Sequence, residues 1–237
     1  MAQQQQPDHS GEAITYLKVE PYQGGALILT SDAVDAGGWL AAEHSQAGDE
    51  TSPPLSWSGP PGVVSYVLVV EDPDAPREQP VIHWLMWNIP GTLHALPAGV
   101  EKGERPEGVG GAVQGLNSGG LHGWLGMAPP PGHGPHRYHF QLFGLDRRLD
   151  LAPDTPLVEL VNVLKGATLA KGELVGRFET VDPVMDAPSS APTGSYGRDQ
   201  DERSPPREEI EAGRGGLDRD DSDRHAPHDA DGVVGPT

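Results

Sequence analysis

The chain has 237 residues, 32 of them glycine and 25 proline, with no cysteine and a formal net charge of −19 at pH 7. Glycine and proline at this density favour short strands and turns over long helices. The lack of cysteine excludes disulfides, thiolate catalysis and Cys-based zinc sites. The acidity argues against nucleic acid or an anionic membrane as partner, because both demand clustered Lys and Arg.

In chain order, residues 1–12 are polar and read as a flexible N-terminus. The start, Met1-Ala2-Gln3-Gln4-Gln5-Gln6-Pro7, lacks the basic region and apolar core of a secretory signal. No apolar run approaches the ~20 residues of a membrane span, so no integral membrane segment is expected and a cytoplasmic protein is the default. From residue 13 to 181, apolar runs alternate with Gly/Pro punctuation, as in one β-rich domain. Ala26 to Thr30 reads as a short strand. Val63 to Glu71 is apolar on both faces and rich in β-branched residues, the pattern of a central strand buried on two sides. Val81 to Ile89 and Tyr138 to Leu145 repeat that pattern, and Leu174 to Phe178 is a further short strand. Gly99 to Gly126 is long, Gly-rich and poor in strand formers, a length that points to function or disorder. Pro156 to Leu164 is the one clear helix, with Asp154 or Thr155 to cap it and Gly166 to end it. Together these elements predict a sandwich of antiparallel sheets with one or two helices. Residues 182–237 are dominated by Pro, Gly, Ser, Asp, Glu and Arg, which bury too little apolar surface to offset their ordering entropy. They read as a disordered acidic tail.

Polar residues interrupt these strands at their ends. Alternation puts His136, Tyr138 and Phe140 on one face and Arg137, His139 and Gln141 on the other. His83 opens the second strand and Asp72 closes the first, where a sandwich carries its loops and sites. The two prolines of Asp72-Pro73-Asp74-Ala75-Pro76 make a rigid turn, and Met127 to Pro135 forms a second proline-rich wall beside His136. A carboxylate accepting from an imidazole N–H holds the ring's tautomer, and imidazole and phenol donors suit a phosphate- or carboxylate-sized anion. Asp72 and Asp74 could equally end their strand in an Asx turn.

Five segments carry a resemblance: Ser52 to Trp57, Glu71 to Pro76, His83 to Pro90, Pro129 to Phe140 and Leu169 to Gly176. In this order they resemble the phosphatidylethanolamine-binding protein family, in its bacterial Raf-kinase-inhibitor-like branch. The resemblance implies a mainly β fold, with a large central β-sheet packed on a smaller antiparallel sheet and one or two short helices. It implies a shallow pocket for phosphate-bearing groups, with Asp72, His83, His136 and Tyr138 as its anion-binding set. Asp74, Pro76, Pro129 and Pro130 match its lining. Two departures stand out. Met127 falls where it could narrow the pocket mouth, and Gly166-Ala167 stands where a histidine usually follows the glycine.

Other signals are weaker. Arg77 and Pro73 break an EF-hand reading of the aspartates, and Gly108-Val109-Gly110-Gly111 has neither the strand nor the helix of a dinucleotide site. His136 and His139 on opposite strand faces argue against zinc, and no catalytic group, cofactor or metal is expected. The leading reading is a non-catalytic binding module for a phospholipid headgroup, nucleotide or phospho-residue, with a protein kinase or protease as a candidate partner to regulate. Nothing in the sequence excludes a homodimer. The alternative is a hydrolase with His136 as general base oriented by Asp72.

Overall fold

The computed structural model describes residues 13–181. The predicted N-terminal arm and acidic tail lie outside the described residues. The elements are α1 (Thr15–Lys18), β1 (Gly25–Ala26), β2 (Ile28–Thr30), a single 3-10 turn (Ala42–His44), β3 (Leu55–Ser58), β4 (Ser65–Asp72), β5 (Val81–Pro90), β6 (Ala95–Leu96), β7 (Val113–Gln114), β8 (His136–Leu145), α2 (Leu157–Leu164) and β9 (Thr168–Phe178).

Every residue of β4 is buried, as its two-sided apolar run requires. Strand alternation sends Tyr66, Leu68 and Val70 into one core and Val67 and Val69 into another. β4 sits inside a six-stranded sheet of order β1-β9-β8-β4-β5-β7. A three-stranded sheet, β2-β3-β6, contributes Leu29, Leu55, Trp57 and Leu96 to the first core. In that core Trp124 stacks on Phe140 and packs edge-on to Trp84. α2 contributes Leu160, Val161 and Leu164 to the second core, so its apolar stripe covers the other face of the large sheet.

Three expectations are corrected. The predicted strand from Ala26 to Thr30 is two strands in different sheets: β1 pairs with β9, and β2 pairs with β3. Leu27 is the corner, donating its backbone N–H to the Lys171 carbonyl at 2.9 Å. The β1–β9 pair is parallel, so the large sheet is not wholly antiparallel. Helix α2 is not capped by Asp154 or Thr155. Pro156 takes the cap position in extended backbone, with no side-chain cap bond.

The far face of the large sheet also holds polar groups. Glu71, at 1% exposure, accepts from the Thr15 backbone N–H (2.7 Å) and from Gln141 Nε2 (2.8 Å). Gln141 Oε1 in turn accepts from the Tyr16 backbone N–H. These side chains satisfy N–H groups that a four-residue helix cannot bond internally, and so hold α1 to the sheet. His139 on the same face bonds Glu173 at 2.8 Å.

The Leu27 corner depends on Gly172. A Cβ there would lie 2.3 Å from the Leu27 carbonyl oxygen and 2.8 Å from the Leu27 Cβ. Gly172→Ala is expected to lower stability by roughly 1–3 kcal/mol through overpacking. Urea unfolding followed by tryptophan fluorescence measures this, and an unchanged midpoint would show that the corner yields without cost.

Candidate functional site

The ends of β4, β5 and β8 converge on a cleft of about 350 Å³. Asp72, Pro76, His83, Pro130, His136 and Tyr138 line it, six of the eight residues expected from the sequence. β4 ends at Asp72, which is 3% exposed, and its two carboxylate oxygens are used differently. Oδ1 accepts from the Asp74 backbone N–H at 2.8 Å, closing the Asx turn. Oδ2 accepts from His136 Nδ1, also at 2.8 Å. Asp72 therefore closes the Asx turn with one oxygen and holds the His136 ring with the other.

Asp74 does not line the cleft. It accepts from the Arg137 backbone N–H (2.8 Å), from Nε (2.9 Å) and, through its other oxygen, from Nη2 (2.7 Å). This two-pronged grip ties the turn to the start of β8, and so fixes where His136 and Tyr138 emerge. Burial alone would raise the Asp74 carboxyl; the hydrogen bonds and charge of Arg137 outweigh it and hold the carboxyl below its ordinary value. Pro129 also leaves the cleft. It is buried and lines a neighbouring hollow with Ser45, Met127 and Phe178. Met127 does not narrow the mouth, because its side chain belongs to the first core.

His83 donates from Nδ1 to the Leu125 carbonyl at 2.7 Å. Burial lowers its pKa, with the Leu125 hydrogen bond opposing. In the neutral ring the Nδ1 proton is committed to Leu125, so Nε2 carries a lone pair. The Tyr138 ring packs edge-on to His83, with centroids 5.0 Å apart. The Tyr138 hydroxyl is buried and has no hydrogen-bond partner among the described residues. Burial first, then the charges of Asp72 and Asp74, raise the Tyr138 pKa, so the phenol keeps its proton.

Sequence reasoning did not find Gln46, Ala75, Arg77, Ser118, Gly119, Leu125, Gly126 or Ala128, which complete much of the wall. Five of these eight come from the Gly-rich stretch and its continuation, whose length was the available signal. Buried amides order that stretch. Gln114 Nε2 donates to the Glu101 and Gly103 carbonyls, and its Oε1 accepts from Trp84 Nε1. Asn117 accepts from the Gly119 and Leu121 N–H groups and donates to the Gly123 carbonyl. Leu125 N–H then pairs with the His83 carbonyl at 2.8 Å, seating the loop on β5. Arg77, exposed at the rim, is the one cationic side chain among the described lining residues.

Two cores astride one large sheet, with a cleft at its strand ends and a rigid proline frame, define a binding-type β protein. The chain belongs to the phosphatidylethanolamine-binding protein family, which residues 30–179 match. A UPF0098 protein of Pyrococcus abyssi is 35% identical over 157 residues, 66% of this chain and 87% of that one. The UPF0098 protein YbcL of Escherichia coli is 38% identical over 129 residues, 52% of this chain and 70% of its own length. The crystal structure of E. coli YbcL, described as a member of the mammalian PEBP family, superposes with a TM-score of 0.60 at 32% identity, covering 65% of this chain and 98% of that one. A Chlamydia trachomatis homolog, CT736, gives 0.58 at 35% identity with the same coverages.

Neutral His83 has a pH consequence. Its folded pKa lies below the ordinary value of 6.5, so the stability it supports is fully present above about pH 6.5 and is lost as pH falls toward the lower folded value. His83→Asn keeps an amide where Nδ1 stood but cannot titrate. It is expected to flatten the decline in unfolding free energy as pH falls below about 6.5. Denaturant unfolding at several pH values tests this, and equal slopes in both proteins would reject it.

Proposed function

We propose that the chain is a non-catalytic binding module whose cleft receives a phosphate-bearing group. The observation that carries the reading is the buried Tyr138 hydroxyl, a donor with no partner among the described residues, beside His83 and His136. A buried hydroxyl left unsatisfied costs about 1–3 kcal/mol, which an acceptor oxygen of the ligand would recover. Arg77 at the rim supplies the local positive charge that a chain of net charge −19 needs to receive an anion. The family's name supports a phosphoethanolamine headgroup as the source of the phosphate. Regulation of a protein kinase or protease is the finer form of the same reading, with the occupied cleft as the surface presented to the partner.

A second reading rests on the Asp72–His136 hydrogen bond of 2.8 Å, which could orient His136 as the general base of a hydrolase. Ser118 and Tyr138 are the hydroxyls among the described lining residues. Ser118 Oγ already accepts from the Ile82 backbone N–H, and the Tyr138 proton is held tightly, so the attacking group would be water.

Titrating inorganic phosphate and phosphoethanolamine while recording imidazole NMR signals separates the two. Binding is expected to move the His83 and His136 resonances. Tyr138→Phe should weaken affinity about two- to tenfold, the worth of one hydrogen bond, with little loss of stability. Resonances unmoved at millimolar ligand would end the binding reading. Turnover of a phosphate- or carboxylate-ester panel that His136→Ala abolishes would install the hydrolase instead.

A further inference from the structure

His133 is outside the expected set and does not line the cleft, yet its Nδ1 lies 2.7 Å from His136 Nε2. The two rings meet edge-on with centroids 4.9 Å apart. The backbone is built for this contact. Gly132 and Gly134 on either side of His133 hold φ of +75° and +86°, and His133 N–H bonds the Pro130 carbonyl at 3.1 Å. Prolines 129–131 and Pro135 stiffen the flanks, so the turn folds His133 back over the strand end. His133 itself is exposed, whereas His136 is 2% exposed.

Proton accounting gives the contact a meaning. Asp72 Oδ2 accepts from His136 Nδ1, so in a neutral His136 that nitrogen holds the ring's proton. His136 Nε2 then offers a lone pair, which the His133 Nδ1–H fills. The neutral His83 also presents a lone pair at Nε2, because its Nδ1 proton is spent on Leu125. In the neutral, empty cleft both lining imidazoles are therefore acceptors, and acceptors repel an anion. An unprotonated anion oxygen, such as one of sulfate, can accept from His136 Nε2 only after that nitrogen gains a proton and gives up His133.

We infer that His133 is an internal competitor for the ligand: it occupies His136 Nε2 in the empty cleft, and anion entry displaces it together with uptake of a proton by the imidazoles. The inference rests on the anion-binding reading above and adds its regulation, tighter binding as pH falls. The charged and titratable groups around His136 are Asp72 from β4, Asp74 and Arg137 from the joined turn and strand start, His83 from β5, Tyr138 from β8 and Arg77 at the rim.

Calorimetry on the full chain with inorganic sulfate, whose own charge is constant in this range, tests the inference at about pH 6 and pH 8 in buffers of differing ionisation enthalpy. Wild type is expected to bind more tightly at the lower pH and to take up protons on binding at the higher. His133→Ala removes the competitor and should bind sulfate about three- to tenfold more tightly, the worth of one displaced hydrogen bond. His133→Asn, which keeps an amide at the Nδ1 position, should return affinity toward wild type while reducing proton uptake. Unchanged or weaker binding by His133→Ala would overturn the competitor and leave the anion cleft standing. Failure of both sulfate and phosphate to bind wild type would overturn the cleft and the competitor together.

Discussion

The whole structure depends on β4 having no face turned to water. A strand buried on both sides must be covered twice, and the two cores exist to do that: the small sheet packs on one face, α2 on the other. Each large side chain so covered contributes roughly 1.5–3 kcal/mol. The same constraint governs the end of the strand. Glu71 and Asp72 are the last two residues of β4, both buried, and a buried carboxylate must find donors. Because neighbouring strand residues point to opposite faces, they find different ones. Glu71 takes the α1 backbone and Gln141, and Asp72 takes His136 and the turn. One strand end thus anchors the N-terminal helix on one side and organises the cleft on the other.

The cleft sets a few polar groups in a largely apolar wall. Its histidines are held by fixed acceptors, a carbonyl for His83 and a carboxylate for His136. That fixes which ring nitrogen is left for other partners. The Asp74–Arg137 grip is the mechanical counterpart. It spends a carboxylate on holding β8 in register with the turn, so that His136 and Tyr138 arrive together.

Several of these residues were legible in the sequence because strand alternation is local. His136 and Tyr138 lie two residues apart on one strand, so their common face follows from the pleat alone. Asp72 and His83 were legible as polar groups where apolar runs stop. Asp74 was misjudged because its turn could aim it either way, and the choice rests with Arg137 in a strand more than sixty residues on. The directions of Pro129 and Met127 were not legible, because a proline run has no period to tell which members face the core.

The sequence by itself determined the central strands, the doubly buried β4, the helix α2 and the family, since each is written in runs of neighbouring residues. Only the tertiary structure decided the switch of sheets at Leu27, the parallel β1–β9 pair, the folding of the 99–126 stretch around Gln114 and Asn117, and the seating of His133 on His136. The first two depend on groups far apart in the chain, and the third on the bonds from Trp84 to Gln114 and from Leu125 to His83, which no local pattern specifies. The His133 contact is close in sequence, but it depends on two left-handed glycines, whose backbone angles composition permits without dictating.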